Sequence, residues 1–483
     1  MSSRRMTFCF DATSCSGCKA CQIACKDRHG LEVGRLWRRV SEVTGGAWEQ
    51  DGSAWHNTVF AYHLSMSCNH CARPICLEGC PTRAITQRSD GVVLIEPEHC
   101  LGCGYCSWVC PYSAPQYHTT SGTMSKCSFC AEDLDAGLEP ACVAACPVRA
   151  LDAGDSDELA AHHGSSATAA GWAPLPDTDL TEPALHLAPH ADAHRSREPG
   201  TELTPRPPQG LREWSLVVFT VLSQMAAGLA LFGGGLRWWL GRSEGPSSLD
   251  PVLLPLGLSL MTGAMLFSVL HLGRPRNAFR SLLNLRTSWL SREILLAVLF
   301  LVILAMAWWP NAPHGIQAIR AWAGWLTIPA AAALLAGMAG VYMQRTVPIW
   351  NHWRTPLTFA ATAVVLGGLA ANVCLWSMHG LNTGQVRAAS LIVMSVCVLG
   401  IGLPWILLRI GRRHKYPGNQ VGDLVSAVAV IMGLTLLVLL VARPDRVNSS
   451  TPLALSWMVL VLVLIDQVGQ RRSYYAGYVR MGV

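Results

Sequence analysis

The fold of this chain is decided by a cysteine-rich stretch whose centre reads Cys100-Leu101-Gly102-Cys103-Gly104-Tyr105-Cys106-Ser107-Trp108-Val109-Cys110. The same spacing, Cys-x2-Cys-x2-Cys-x3-Cys, is found at Cys15, Cys18, Cys21 and Cys25. Two groups with wider gaps consist of Cys68, Cys71, Cys76 and Cys80, and of Cys127, Cys130, Cys142 and Cys146. Sixteen cysteines in four groups of four therefore lie between Cys15 and Cys146.

The spacing suits the assembly of cubane iron–sulfur clusters. Cys-x2-Cys-x2-Cys wraps a short loop around three iron corners, and the next cysteine starts a helix that points away from the loop. In ferredoxins with two clusters, this last cysteine ligates the other cluster. The four groups therefore predict four [4Fe–4S] clusters in two ferredoxin-like pairs.

Zinc or disulfide chemistry explains the cysteines less well. Zinc ribbons use two Cys-x2-Cys pairs with a wider separation. Disulfide frameworks are typical of small secreted domains, whereas this chain has 483 residues, of which 51% are hydrophobic. A non-enzymatic membrane protein with a structural zinc domain stays as an alternative, which iron and sulfide analysis would test.

Charge and hydropathy divide the chain into regions suited to different solvents. Charged residues make up 14% of the chain, below the share of about 25% in ordinary globular domains. We predict an α+β double ferredoxin-like domain at 1–155, a flexible linker at 156–211 and an all-α polytopic membrane domain at 212–483. Within the first domain, 6–10 and 92–95 are predicted strands, and Cys9 is a predicted buried structural thiol.

Apolar runs long enough to cross a bilayer occur eight times. The predicted spans are 215–236, 252–272, 292–309, 322–343, 357–378, 389–409, 424–442 and 453–469. Small residues such as Gly367 and Gly368 would let helices pack closely. The loops after spans two, four and six hold more basic residues than the loops on the opposite side, which by the positive-inside rule favours the cytoplasmic face for the ferredoxin domain. A competing interpretation is that these arginines dock the ferredoxin domain, and the periplasmic face is the alternative location.

The order of the cysteine groups resembles the four-cluster electron-transfer subunit of dimethyl sulfoxide reductase-type molybdoenzymes, over nearly all of residues 6–155. The resemblance implies that groups two and three share one pair of clusters, which we expect to face the membrane domain. The implied ligand sets are Cys15, Cys18, Cys21 and Cys146; Cys25, Cys127, Cys130 and Cys142; Cys68, Cys71, Cys76 and Cys110; and Cys80, Cys100, Cys103 and Cys106.

The membrane domain resembles the membrane anchor of dimethyl sulfoxide reductase. The resemblance is carried by His271-Leu272-Gly273-Arg274-Pro275 and by Ser288-Trp289-Leu290-Ser291-Arg292-Glu293. It implies a menaquinol site in which His271 is a hydrogen-bond partner and Glu293 a proton acceptor. Further predicted members are Arg274, Trp289 and Arg292. The alternative for His271 and Glu293 is a role at their helix ends, with Ser291 as the cap before Glu293.

Together these resemblances imply an electron-transfer and anchor subunit in the bacterial cytoplasmic membrane. It would take electrons from the quinone pool and pass them to a separate subunit with a molybdenum bis(pyranopterin) cofactor that reduces an S-oxide or N-oxide. We expect neither molybdopterin nor haem on this chain, and no nucleic-acid partner. The alternative is reverse flow, from a formate-dehydrogenase-like partner to quinone.

Overall fold

A computed structural model describes residues 5–163, 175–198, 200–204, 214–240, 250–309, 313, 317–377, 383–410 and 450–476. Up to Thr204, these residues form a mixed α/β region around the cysteine groups. From Trp214 onward they form long apolar helices. The chain therefore consists of two regions of different structural class, as its composition predicts.

The described α/β region contains short strands and helices. The strands are β1 (Met6–Asp11), β2 (Arg39–Gly45), β3 (Trp48–Asp51), β4 (Ala54–Asn57), β5 (Phe60–Met66), β6 (Ile85–Gln87), β7 (Val93–Ile95), β8 (Gln116–His118), β9 (Thr123–Ser125), β10 (Leu151–Asp155), β11 (Leu185–Ala188) and β12 (Glu202–Thr204). The α-helices are α1 (Ala20–Arg28), α2 (Ile75–Gly79), α3 (Tyr105–Val109), α4 (Ala131–Asp135), α5 (Ala141–Ala144) and α6 (Ser156–His163).

Two three-stranded sheets, in the orders β10-β1-β11 and β12-β2-β5, support the cysteine loops. β1 runs antiparallel to β10 and parallel to β11. Its Phe8 is buried and stacks on Phe129, with ring centroids 4.1 Å apart. The strands predicted at 6–10 and 92–95 are found as β1 and β7. Cys9 is buried in β1 as predicted, and burial raises the pKa of its thiol to about 11.

The predicted linker at 156–211 differs from the structure over part of its length. Its first residues form α6, β11 extends the sheet of β1, and β12 pairs with β2. Leu187 of β11 is fully buried. The segment has few bulky apolar residues, but main-chain pairing and this leucine attach it to the sheets. Residues 164–174 and 205–211 of the predicted linker lie outside the described part of the chain.

The membrane region consists of long helices, and a 3-10 helix at Pro275–Leu282 lies between its second and third helices. The long helices are α7 (Trp214–Leu240), α8 (Asp250–Leu270), α9 (Trp289–Trp308), α10 (Gln317–Tyr342), α11 (Arg354–Ser377), α12 (Thr383–Ile410) and α13 (Ser450–Ala476). Every one of these helices except α12 contains a described segment that is long and apolar enough to cross a membrane, which gives six candidate spans.

The six candidate spans agree with six of the eight predicted ones, to within a few residues at their ends. The predicted span at 389–409 falls in α12, whose described apolar part is Gly384–Cys397. The predicted span at 424–442 lies outside the described residues. The candidate span in α9 starts at Trp289, slightly before the predicted start at 292. The structure therefore supports a multi-pass membrane region with six spans among the residues it describes.

Glycines set the closest helix contact in this region, between α7 and α11. A Cβ atom on Gly228 would collide with the backbone of Ala363, and one on Gly367 would collide with the backbone of Gly228. Because lipid offers no hydrophobic drive for helix association, close backbone approach through small residues stabilises such contacts. Gly367 lies at this contact, in agreement with its predicted packing role, whereas a Cβ atom on Gly368 would collide with the Cys397 sulfur of α12.

A Gly228→Ala substitution should therefore destabilise the membrane region. The added methyl would force α7 and α11 apart, and overpacking of this kind costs about 1–3 kcal/mol. Gly235→Ala on the same helix is the matched control, since a Cβ atom there meets nothing within 4 Å. Thermal unfolding in detergent should show a lower midpoint for Gly228→Ala only. Equal midpoints for the two variants would contradict the packing explanation.

Candidate functional site

The structure brings the sixteen grouped cysteines together in four quartets. Three quartets each line a cavity: quartet 1 is Cys15, Cys18, Cys21 and Cys146, quartet 3 is Cys68, Cys71, Cys76 and Cys110, and quartet 4 is Cys80, Cys100, Cys103 and Cys106. Quartet 2 consists of Cys25, Cys127, Cys130 and Cys142, whose thiols act on one another electrostatically. These sets coincide with the ligand sets that the resemblance implies.

The donor sets suit a multi-iron cluster better than a single ion. Each quartet offers four sulfur donors, most of them buried, as cubane clusters require. Among the described residues, no three His, Cys, Asp or Glu side chains form a site for a single metal ion. Backbone N–H groups also point at the thiols: those of Gly102 and Met124 each lie 3.4 Å from the Cys100 sulfur.

Positive backbone angles curl the ligand loops of groups one and three in the same way. Gly17 and Gly102 occupy equivalent positions, with φ of 72° and 73°. Lys19 and Gly104 follow two residues later in each loop, with φ of 64° and 74°. These left-handed residues turn the chain around the cluster position before α1 and α3 begin, which is where glycine is favoured.

Quartet 4 lies directly on the membrane region. Asn277 Nδ2 donates to the carbonyl oxygens of Glu98 and Cys100, at 2.8 and 3.0 Å. Asn284 Nδ2 donates to the carbonyl oxygens of Glu78 and Cys80, at 3.1 and 2.9 Å. The loop that follows α8 therefore binds the backbone of two ligand residues of quartet 4. Groups two and three face the membrane region.

Arg274 fixes the same loop to the ferredoxin-like region. Its Nε donates to the Ser121 carbonyl at 2.9 Å and its Nη1 to the Pro97 carbonyl at 3.0 Å. Its backbone N–H donates to the Leu101 carbonyl at 3.0 Å. Arg274, predicted to be a member of the quinol site, thus has a structural role in docking, which was the alternative for the loop arginines.

Replacing Arg274 with alanine should loosen this contact. Two hydrogen bonds from a charged donor would be lost, each worth at most about 1.5–3 kcal/mol and less here because the side chain is partly exposed. We expect amide hydrogen exchange around 97–101 to become about tenfold faster. Arg276→Ala, an exposed arginine of the same loop, is the control. Unchanged exchange in Arg274→Ala would contradict the docking role.

Aromatic side chains fill the interface between the quartet 4 segment and the membrane helices, which we call the seam. Tyr105 and Trp108 of α3 are buried, and the Tyr105 hydroxyl donates to the Val341 carbonyl at 3.0 Å. Trp108 packs against Trp350 and Tyr475, with ring centroids 5.7 and 6.1 Å apart. The segment that carries Cys103 and Cys106 is therefore embedded in the membrane region's own core.

Glu293 lies at this seam, in the second turn of α9. It is 4% exposed, and its Oε1 has no hydrogen-bond partner among the described residues. Its charge acts on the hydroxyls of Tyr105, Tyr342 and Tyr475. Burial, then the charges of Glu293 and Cys103, raise the pKa of Tyr105, so this hydroxyl stays protonated.

The helix-end explanation of Glu293 finds little support in the geometry. The N-cap of α9 is Ser288, whose Oγ accepts from the N–H of Ser291 at 3.3 Å, so Ser291 is not the cap. Glu293 lies five residues beyond this cap, past the first turn in which helix-dipole effects are strong. A capping role leaves its burial without an explanation.

The other predicted site residues differ in whether their polar atoms are bound by protein groups. His271 follows the end of α8, and its Nδ1 is buried without a hydrogen-bond partner among the described residues. Arg292 lies over the Trp289 ring, 4.6 Å from its centroid, and its Nε donates to the Leu285 carbonyl at 2.9 Å. The unpartnered Oε1 of Glu293 is available to a ligand. The His271 ring interacts with the backbone of Ser268 in the last turn of α8, as its helix-end alternative expects, and Arg292 and Arg274 are engaged with protein carbonyls.

Several residues of the seam were missed by sequence reasoning. Tyr342 and Tyr475 share a hydrogen bond between their hydroxyls, and Arg471 donates to Gln224 Oε1 at 2.9 Å. Both Arg471 and Gln224 are buried within the helix bundle. One sequence signal for these residues is that an arginine and two tyrosines lie in the last turns of an apolar helix. Only the fold shows that α13 and α10 meet there.

Comparison with known proteins agrees with this architecture. The 4Fe-4S dicluster domain family matches residues 59–156, and the DMSO reductase anchor subunit (DmsC) family matches residues 208–475. The B subunit of the anaerobic dimethyl sulfoxide reductase of Escherichia coli is 45% identical over 186 residues, which are 38% of this chain and 89% of that protein. The B subunit from Haemophilus influenzae is 47% identical over 190 residues, 39% of this chain and 91% of that protein.

A relative from another type of complex is also similar. The formate dehydrogenase iron-sulfur subunit of Wolinella succinogenes is 35% identical over 180 residues, which cover 33% of this chain and 85% of that protein. These relatives are each similar to about a third of the chain, and the anchor family accounts for much of the rest. Because its match spans more than half of the polypeptide, the chain belongs to the DMSO reductase anchor subunit (DmsC) family, with an iron–sulfur domain joined to that anchor.

Proposed function

We propose that this chain oxidises quinol, specifically menaquinol, and passes the electrons through four [4Fe–4S] clusters to a separate catalytic subunit. The position of Glu293 is the main support. Its buried Oε1 has no hydrogen-bond partner among the described residues, and its charge acts on Tyr105 through space. Tyr105 lies between the quartet 4 ligands Cys103 and Cys106. The proposed proton acceptor and the proposed electron entry point therefore lie at the same face of the ferredoxin-like region.

The chemistry of quinol oxidation requires both functions. A quinol that becomes a quinone releases two protons and two electrons. Glu293 would accept the protons of the two hydroxyls one after the other, passing the first to solvent before it takes the second, and His271 would bind the quinol through its imidazole ring. The clusters, when bound to the quartets, would supply one-electron acceptors. Tyr105, held at 3.0 Å by the Val341 carbonyl, fixes the ligand loop of quartet 4 beside this site.

The quartets form a single row that leads away from the membrane region. Cys106 of quartet 4 interacts electrostatically with Cys76 of quartet 3. Cys127 of quartet 2 interacts with Cys68 of quartet 3, and Cys21 of quartet 1 with Cys142 of quartet 2. The row therefore runs 4, 3, 2, 1. Quartet 1, with its exposed Cys18, is the exit to the partner.

The partner is proposed to carry a molybdenum bis(pyranopterin) cofactor and to reduce an S-oxide or N-oxide. The similarity to the B subunits of dimethyl sulfoxide reductases supports this assignment. The similarity to a formate dehydrogenase iron-sulfur subunit supports the second candidate, in which the same row carries electrons from a donor-oxidising partner to quinone. We place the ferredoxin-like domain on the cytoplasmic face because the loops on its side hold further basic residues besides the docking residue Arg274, and we propose no haem in the anchor.

Anaerobic reduction of the purified chain in liposomes tests the quinol reaction. A reduced short-chain menaquinone analogue should bleach the cluster absorption at a rate that saturates with quinol concentration. Dithionite added afterwards should reduce any clusters of lower potential. Clusters that respond to dithionite but never to quinol, under any quinol-to-quinone ratio, would contradict the proposed function.

A further inference from the structure

We propose that two buried cations, Arg38 and Lys126, lie between successive quartets and raise the reduction potentials of the clusters on either side of them. The proposal rests on the proposed function, because it assumes that the quartets hold iron–sulfur clusters. Arg38 and Lys126, which belong to none of the cysteine groups, would thereby tune the reduction potentials.

Arg38 lies at the junction of quartets 1 and 2. It is 2% exposed, and its Nη1 donates to the Ser65 carbonyl at 3.2 Å and to the Ser65 hydroxyl at 3.3 Å. That hydroxyl lies 3.4 Å from the Cys21 sulfur of quartet 1. On the other side, the guanidinium acts electrostatically on Cys25 and Cys127 of quartet 2. Arg38 thus reaches both quartets of the pair.

Lys126 lies at the junction of quartets 2 and 3, where the two ferredoxin-like pairs meet. It is 4% exposed, and its side chain lines the cavity of quartet 3. Its Nζ donates to the carbonyl of Cys127, a quartet 2 ligand, at 3.1 Å, and to the Val93 carbonyl. These two junctions of the row therefore each hold one buried cation.

Burial of these two cations is energetically unfavourable unless negative charge lies nearby. Two guanidinium nitrogens of Arg38, Nε and Nη2, are buried without a hydrogen-bond partner among the described residues. An unpaired buried charge costs several kcal/mol, and within the described residues neither side chain forms an ion pair with a carboxylate. A cubane bound by four thiolates is negatively charged and gains one further negative charge on reduction. A fixed cation in a medium of low dielectric constant therefore favours the reduced state.

Redox titration of the full chain, followed by low-temperature paramagnetic resonance, tests this assignment. Arg38→Met should lower the midpoint potentials of the clusters in quartets 1 and 2. Lys126→Met should lower those in quartets 2 and 3. A tenfold change in each one-electron equilibrium corresponds to about 59 mV, and we expect at least this change. Arg149→Met, which removes an arginine of the same region that is 71% exposed and ion-paired with Glu139, should shift none of them.

Charge-conserving variants separate the effect of lost charge from a failure of cluster assembly. Arg38→Lys and Lys126→Arg should assemble all clusters with potentials near those of the unmodified chain, even if the methionine variants fail to assemble them. Unshifted potentials in assembled methionine variants would overturn the proposal. So would charge-conserving variants with shifts as large as those expected for methionine. An unmodified chain without cluster signals would instead refute the proposed function itself.

Discussion

Glu293→Gln is expected to slow quinol oxidation by about 100-fold or more, because loss of a general base removes a factor of about 10² to 10⁴. Glutamine matches glutamate in size, so the seam around Tyr105 and Tyr342 should keep its packing. The measurement is the rate at which a reduced menaquinone analogue bleaches the cluster absorption in liposomes. Reduction by dithionite should be unchanged, since it needs no proton acceptor at the membrane site.

Two comparisons sharpen this result. Glu132→Gln removes a carboxylate that is 92% exposed on the ferredoxin-like region, and should leave quinol oxidation unchanged. His271→Ala should weaken quinol binding, seen as a higher quinol concentration at half-maximal rate. Full quinol oxidation by Glu293→Gln would remove Glu293 from the role of proton acceptor, whatever the outcome for His271.

Removal of one ligand of quartet 4 should have the second large effect. Cys106→Ala takes a buried thiol from the cavity that lies on the membrane region. Loss of this cluster would break the row at its entry, so quinol should no longer reduce the remaining clusters at a measurable rate. Iron should fall from about sixteen to about twelve atoms per chain, as expected for one cubane fewer.

Cys9→Ala is the matched control for this variant. Cys9 is buried in the same region but belongs to none of the four quartets. Its replacement should lower stability by about 1 kcal/mol at most, with iron content and quinol-driven reduction both retained. Equal iron content in Cys106→Ala and the unmodified chain would show that quartet 4 does not hold a cluster.

The spacing of the cysteines carried most of the information about the ferredoxin-like region. Because cluster geometry dictates the spacing, the positions of β1 and β7 and the burial of Cys9 could be predicted around it. The grouping into quartets is implied by the resemblance. The structure places the same cysteines together, and their role as cluster ligands stays a prediction. The attachment of β11 and β12 could not be predicted, since main-chain pairing leaves little trace in side-chain composition.

The membrane site was less accessible to sequence reasoning. Hydropathy located six of the eight predicted spans among the described residues, because bilayer thickness fixes their length. It could not show that Arg274 binds the carbonyls of Ser121 and Pro97, or that the hydroxyls of Tyr342 and Tyr475 share a hydrogen bond. Such contacts join residues more than a hundred positions apart, and no local pattern encodes them. Glu293 could be singled out because an ionisable residue within an apolar span is costly and rare.

We propose that four cubane clusters link the membrane site to quartet 1, from which electrons pass to the partner. Quantitative low-temperature paramagnetic resonance of the anaerobically prepared chain, combined with iron and sulfide analysis, tests it most directly. We predict about sixteen iron and sixteen sulfide per chain, and about four unpaired electrons after complete reduction by dithionite. A preparation that contains zinc, or that stays colourless and without signal after anaerobic reconstitution with iron and sulfide, would contradict the claim.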